Sequence, residues 1–581
     1  MLDLIVLKLF RRKPCFSAAI SMKLMAVLGF CLVACATAHA IHLPGEEAPP
    51  CIYGAKVQVT VTPSRVQLGQ PAYLSWHVSV PNRCGGLQVR LNGRDIVENG
   101  TQTITPSRPA TFTVTVIHSY LGWSTSTSQS ARVDVDYPAR VVIDGSTPDP
   151  VQVLLGALVD SANPVQVVEL CNVDLDLTGQ HDIVIGANRS LIASPACARG
   201  PRRLGPRIFV TDKRGSQPLF VIRGDNVRFS GFRLEGPTSE IAQGDIKEKG
   251  IKIWPFAGAD PIRNIEISNM EIFHWSGVGV EVADNVEMAE RGRLFNTNPG
   301  AVRVRGNFFH HNRHGAGEGY GVSSTAGAYV TIEQNVFDEN RHAIAGGSRN
   351  LDALDYSGYT ARDNLILSGG GEHSSEGWWW ALTGWRFNTW RTHQIDMHGD
   401  ENEWYSSTNW QCGTAGETMI IERNTVLYTS GLAIKIRGNP ADKAVVDGNV
   451  FKHGSRSDAI GQNGYCGGWG DNITNPIEVR PNNIFGVDPM TELGSGDFVG
   501  DGQQDEFMAT GVTWWARSPT THQWRYLNTM RERLPAIEFG DWDHDGVCDV
   551  APRTATNPFR SPTTYSKNGT GPWVPLLAKT H

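Results

Sequence analysis

The sequence predicts an all-β chain in three parts: a small N-terminal β-sandwich, a long solenoid of stacked strands, and a short C-terminal module of cation-binding loops. Three observations carry that prediction. Seven times between residues 268 and 487 an asparagine is followed by a short apolar strand. Residues 54–137 alternate apolar and polar in short runs separated by turn residues. Near the C-terminus a ten-residue segment of aspartates and glycines recurs 44 residues later.

Composition narrows the function classes. Glycine is 62 of 581 residues, about 11% against an average near 7%, and it has no three-residue period, which excludes collagen. Hydrophobic residues at 40%, with 17 Trp and 13 Tyr, give the chain enough apolar surface to offset the entropy of ordering, which excludes a disordered chain. Net charge is −7 with no block of lysine or arginine, so a nucleic-acid binder driven by phosphate neutralisation is excluded as well.

The first 40 residues read as a targeting segment: basic Arg11, Arg12, Lys13 and Lys23, an apolar run from Leu24 to Ala36, then the small-residue exit Ala38-His39-Ala40. Leu32-Val33-Ala34-Cys35 also resembles a bacterial lipobox, which would leave a lipid on Cys35, and both exits stay open. Either way the chain is expected in a secreted, periplasmic or outer-surface location in a bacterium. No later run of 18 apolar residues predicts a membrane span. In an exported chain the remaining cysteines are disulfide candidates. Local distance pairs Cys51 with Cys84, Cys171 with Cys197 and Cys412 with Cys466, leaving Cys548 over; buried free thiols are the alternative.

In residues 41–138 the runs VQVTV, AYLSW, LQVRL and TFTVTV, Trp76 within a strand, and the final ARVDVDY read as a β-sandwich. They resemble immunoglobulin-like modules of bacterial surface enzymes, which space or anchor a catalytic domain.

The solenoid is expected over 139–490. Its asparagines are Asn269, Asn307, Asn335, Asn364, Asn424, Asn449 and Asn483, at intervals of 38, 28, 29, 60, 25 and 34. A period of 25 to 30 residues, widened by insertions, fits one turn of three short strands. The pattern resembles the right-handed parallel β-helix of pectate-lyase-like proteins, in which a stacked asparagine bonds its amide to the next coil. A bend between strands leaves backbone groups unpaired, and an amide side chain can both donate and accept. Bends with positive φ in every coil also account for the glycine surplus.

In residues 491–581 the two loops carry Asp497, Asp501 and Asp505, then Asp541, Asp543, Asp545 and Asp549. Alternate aspartates in a glycine-containing turn gather oxygens around one hard cation, so Ca²⁺ is the expected cofactor, with solvated turns as the alternative. The repeat resembles FG-GAP or VCBS repeats of secreted proteins. Val499 interrupts the acids of the first loop.

One constellation could carry chemistry. Strands in successive coils align on the inward anchors Val322, Ile344, Ile395, Ile434 and Ile460. Positions one and three after each anchor face outward, giving Ser323 and Thr325, Ala345 and Gly347, Asp396 and His398, Lys435 and Arg437, then Gly461 and Asn463. Asp396 is thereby expected beside Lys435 and His398 beside Arg437. At the strand entrance a column of Tyr320, His342 and His393 is expected to emerge beside the same patch. The run His393-Gln394-Ile395-Asp396-Met397-His398 is similar to the Tyr-Gly-Phe-Asp-Pro-His motif of mannuronan C5-epimerases. By that resemblance Asp396 and His398 match in type and spacing, His393 stands at the tyrosine and Met397 at the proline, while the family's lysine lies on an earlier coil than Lys435.

Proton abstraction beside a sugar carboxylate needs a cation on that carboxylate, a base, and an acid for a leaving oxygen. Lys435 and Arg437 can supply charge, His393 or His398 the proton transfer, Tyr320 a second proton carrier, and Asp396 the orientation of an imidazole. The expected substrate is an acidic polysaccharide and the expected activity that of a lyase or epimerase. Open alternatives are a surface ion pair of Asp396 with Lys435, a metal held by His393, Asp396 and His398, a glycoside hydrolase pairing Asp396 with Asp352, Asp355 or Glu401, and a non-catalytic adhesion protein. Replacing Asp396 by Ala is expected to abolish activity without lowering the melting temperature. Around the same strand Trp378, Trp379, Trp380, Trp385, Trp390 and Trp404 crowd an insertion; exposed indoles would stack on sugar faces, and a private mini-core is the alternative. A monomer is expected.

Overall fold

The computed structural model describes residues 53–81, 83–159, 164–193, 205–213, 215–241, 246–255, 262–283, 301–315, 317–347, 357–373, 390–399, 415–463, 473–553 and 563–575. The targeting segment lies outside the described residues, as do Cys51, Cys197, Cys412, Cys466, Trp378, Trp379, Trp380, Trp385 and Trp404. Cys84 and Cys171 are disulfide-bonded, while Cys548 is a free thiol.

The chain divides into two compact units. One comprises Met1–Val59, Trp76–Gly100 and Phe112–Ser130. Within it Gly86–Leu91 pairs antiparallel with residues 114–119 and with Arg94–Ile96, and the Trp76 indole N–H donates to the Val97 carbonyl at 2.9 Å.

The other unit holds the solenoid, a right-handed parallel β-helix of three long sheets. Sheet A has 11 strands, sheet B 10 and sheet C 9. The stack starts with Arg140–Asp144 in sheet A and ends with Ile484–Phe485 in sheet B. Inside, aromatic rings stack from coil to coil, with Phe309 on Phe337 at 5.2 Å and Phe451 on Phe485 at 5.1 Å. A helix, Pro150–Val159, stands at the first coils with Leu154, Ala157 and Leu158 buried. It covers apolar surface that no preceding coil could cover, a requirement that a repeat pattern does not announce.

The asparagine ladder forms the bend between sheets A and B. Asn307, Asn335, Asn364, Asn424, Asn449 and Asn483 pass Nδ2–H to the next Oδ1 at 2.9, 3.1, 2.9, 3.0 and 3.0 Å. Asn269 does not belong to it. The strand register sets Met270 level with Asn307, and the Met270 N–H donates to Asn307 Oδ1. Asn269 instead takes the preceding left-handed position at φ 52°, which Gly306 and Gly448 occupy in their coils at 63°. The interval of 60 residues is a single coil, since Leu365 pairs directly with Thr425. Its insertion begins on a two-residue antiparallel ladder of Glu372 with Arg391 and His373 with Trp390.

Among the described residues two further ladders occur. Asn312 donates to Asn340 at 2.8 Å in a second bend, and Asn264, Asn226 and Asn188 are chained at 2.8 and 2.9 Å in a third, all three left-handed. The C-terminal residues form two four-stranded antiparallel sheets. Their Met508, Trp515 and Trp524 share one apolar cluster with Val336, Leu365 and Leu427 of the β-helix, and Gln523 donates to Glu271 at 2.8 Å.

Candidate functional site

Sheet C runs in the expected register: Ile344 pairs with Ile395 and Gly347 with His398, then Asp396 with Lys435 and His398 with Arg437. Apolar Ile395, Met397, Ile434 and Ile436 fill the interior, which leaves the alternate positions to form a polar face.

That face differs from the expected one in its burial. Asp396 has no exposed surface, and His342 has none either. Outward from the coil is not outward to solvent, because neighbouring side chains roof the carboxylate. Arg437 binds it through two nitrogens, Nε 3.1 Å from Oδ1 and Nη2 2.5 Å from Oδ2. His393 Nε2 stands 3.0 Å from Oδ1 and His398 Nε2 3.2 Å from Oδ2. The Asp396 ion pair is therefore with Arg437, and the surface pair with Lys435, one of the open alternatives, does not form although the two residues are paired in the register. Bidentate geometry favours the guanidinium over an ammonium there.

Charge states follow from these contacts. Burial alone would raise the Asp396 pKa, but His398, His393 and Arg437 outweigh it and hold the carboxyl well below its usual range. Burial pushes His398 down to about 4, and it lowers His393 and His342 as well. Both imidazoles beside Asp396 are consequently neutral at pH 7 and available as proton acceptors. Burial also lowers Lys435, with Arg437 adding to the effect. Lys435 is half-buried, and it makes no hydrogen bond or ion pair among the described residues.

The entrance column is a ring stack. Tyr320 lies 5.3 Å from His342, and His342 4.5 Å from His393 at an interplanar angle of 20°. Tyr320 is half-buried, with its pKa raised by burial. His342 does not emerge onto the patch as expected; its Nδ1–H donates to the His393 carbonyl at 2.5 Å and holds the ring inside. Flanking coils offer small side chains, Ser323 and Ala345 being buried. Trp390 contributes backbone to the insertion's base.

The C-terminal loops fit a cation in part. Ligand atoms of Asp541, Asp543 and Asp549 lie within 4.8 Å of one another. Sequence reasoning missed Lys567, whose Nζ sits 2.6 Å from Asp543 and 3.0 Å from Asp545. Asp545 accepts the Val547 N–H, Asp541 accepts from Asp545 and Gly546, and Asp549 from Trp542 and Asn568. In the first loop Asp497 accepts from Gly500, Asp501 and Gly502, Asp501 from Gln503, and Asp505 from Phe498 and Val499. Carboxylates thus shape both turns, and a Ca²⁺ ion would use their remaining lone pairs.

No protein-family model matches the chain, and no curated protein matches it. Among solved structures, the catalytic unit of the thermostable GH87 alpha-1,3-glucanase from Streptomyces thermodiastaticus strain HF3-3 matches over 72% of this chain and 90% of that chain, at 14% identity and a TM-score of 0.26. A superposition that loose carries no argument. Among the described residues no helix is long and apolar enough to cross a membrane.

Proposed function

We propose that this chain is an exported carbohydrate-active enzyme, a polysaccharide lyase or C5-epimerase acting on a uronate-containing glycan. The observation that carries the reading is Lys435, a half-buried ammonium with no partner among the described residues, one strand from the neutral imidazole of His398. A uronate carboxylate laid on sheet C would supply the missing partner. Neutralising it acidifies the C5 proton, and His398, 26% exposed at its side chain, is the ring best placed to accept that proton. Asp396 would set the imidazole orientation. Arg437 is committed to Asp396, so Lys435 takes the carboxylate-binding role that the sequence divided between them. Gly347 and Gly461, the partly exposed glycines on the neighbouring coils, would admit a polymer close to the backbone.

The hydrolase alternative would need two accessible carboxylates, and Asp396 has no exposed surface. Asp352, Asp355 and Glu401 lie outside the described residues. Incubation with a panel of acidic glycans tests the reading. A lyase yields fragments lighter by one water with an unsaturated uronate end. An epimerase leaves chain length unchanged and inverts C5. Fragments that have gained a water would establish the hydrolase.

A further inference from the structure

Two buried imidazoles have no role in the proton chemistry proposed above. His342 has no exposed surface and His393 is 7% exposed. Because His342 Nδ1 donates to the His393 carbonyl, its Nε2 carries a bare lone pair, and that atom is buried without a hydrogen-bond partner. His393 Nε2 is likewise unpartnered, although it stands 3.0 Å from Asp396 Oδ1. One ligand atom from each of His342, His393 and Asp396 lies within 4.8 Å of the other two. An imidazole that donates its second ring N–H to a backbone carbonyl has the usual posture of a metal ligand. The Asp396 carboxylate is fixed in orientation by Arg437.

We propose that His342 Nε2, His393 Nε2 and Asp396 Oδ1 hold one first-row divalent cation of the zinc type. Two nitrogen donors exclude the oxygen-seeking Ca²⁺ and Mg²⁺ as preferred occupants. Three protein ligands leave a fourth position open, the pattern of a catalytic and not a structural zinc site. Ligand atoms about 2.0–2.2 Å from a tetrahedral ion are roughly 3.3–3.6 Å apart; the His393 and Asp396 atoms already stand at 3.0 Å, so binding needs only a small spreading of that pair and an adjustment of His342. The set differs from the His393, Asp396 and His398 triad expected from the sequence, because His342 replaces His398, the more open ring. The inference stands on its own geometry and does not require the glycan reading.

Metal content tests it apart from any glycan assay. The full chain, carrying Asp541→Asn and Asp543→Asn to silence the C-terminal loop, is stripped with a chelator, titrated with Zn²⁺ and dialysed. One zinc per chain is expected to remain, and His342→Ala or His393→Ala is expected to abolish its retention. X-ray absorption at the zinc edge of the unsubstituted chain is expected to show two imidazole ligands, a readout that holds even if the alanine variants fail to fold. No retained zinc, retention unchanged by His342→Ala in a folded variant, or a zinc edge without imidazole scattering would each overturn the proposal.

Discussion

Arg437 reaches across one coil to close both Nε and Nη2 on Asp396, at 3.1 and 2.5 Å, over a carboxylate with no exposed surface. The pair is structural before it is chemical. Removing one partner of a buried pair leaves the other uncompensated, at a cost of about 3–5 kcal/mol. Asp396→Ala is therefore expected to lower the melting temperature along with activity, which reverses the expectation drawn from the register alone. Calorimetry of Asp396→Ala and Arg437→Met checks this; unchanged melting temperatures for both would show that the pair is not clamped.

Lys435 is the opposite case. It has no partner to strand among the described residues and its ammonium is disfavoured by burial, so Lys435→Met is expected to keep stability within about 0.5 kcal/mol of the parent. Activity on a uronate glycan is expected to fall about 100-fold or more, the usual loss when a charge-stabilising group is removed. Steady-state rates beside a melting curve separate the two effects, and full activity in Lys435→Met would remove the lysine from the site.

The ladder predicts a gradient of stability. Asn335→Ala strands both the N–H and the Nδ2 of Asn307, which donate to Asn335 Oδ1 at 3.0 and 2.9 Å in a buried bend. At about 1–3 kcal/mol for each orphaned group, a loss near 3 kcal/mol is expected in denaturant unfolding. Asn483→Ala, at the half-buried end of the ladder, is expected to cost less. Equal losses at the two positions would contradict the ladder's cooperative role.

His311 gives the chain a pH-dependent term. Burial, then His310, Arg313 and His274, holds its pKa at about 4 against an ordinary 6.5. The unfolded chain takes up a proton near pH 6.5 but the folded chain only near 4, so stability is full above 6.5 and is lost as pH falls toward 4. His311→Asn, which suits the φ of 55° at this position, is expected to flatten the melting temperature across that window. An unaltered pH profile would place His311 in solvent.

The C-terminal loop predicts competition. Lys567 already neutralises Asp543 and Asp545, so Lys567→Gln is expected to destabilise the chain without Ca²⁺ and to raise its Ca²⁺ affinity. Melting curves with Ca²⁺ and with chelator measure both effects; identical curves for the two proteins under both conditions would remove the loop as a cation site.

Much of this architecture was legible because it repeats. The anchors Ile344, Ile395 and Ile434 fell into register from apolar spacing alone, since a one-residue slip would expose every core side chain. The misplaced Asn269 shows the limit of pattern matching: asparagine suits both the ladder slot and the left-handed residue before it, and only pairing tells them apart. The helix Pro150–Val159 occurs once, so no repeat could disclose it. Burial of Asp396 was hidden for another reason. Alternation assigns a face of the sheet, whereas the roof over that face comes from Arg437 on the next coil and His393 at the strand's own entrance.

Proton removal at C5 is the step assigned to Lys435 and His398. Mass spectrometry of the products formed in D₂O from uronate-containing polysaccharides tests it in one measurement. The expected products are either unsaturated fragments lighter by one water or intact chains carrying carbon-bound deuterium, with neither formed by Lys435→Met. Unlabelled intact glycan throughout the panel, or fragments that have gained a water with no carbon-bound deuterium, would contradict it.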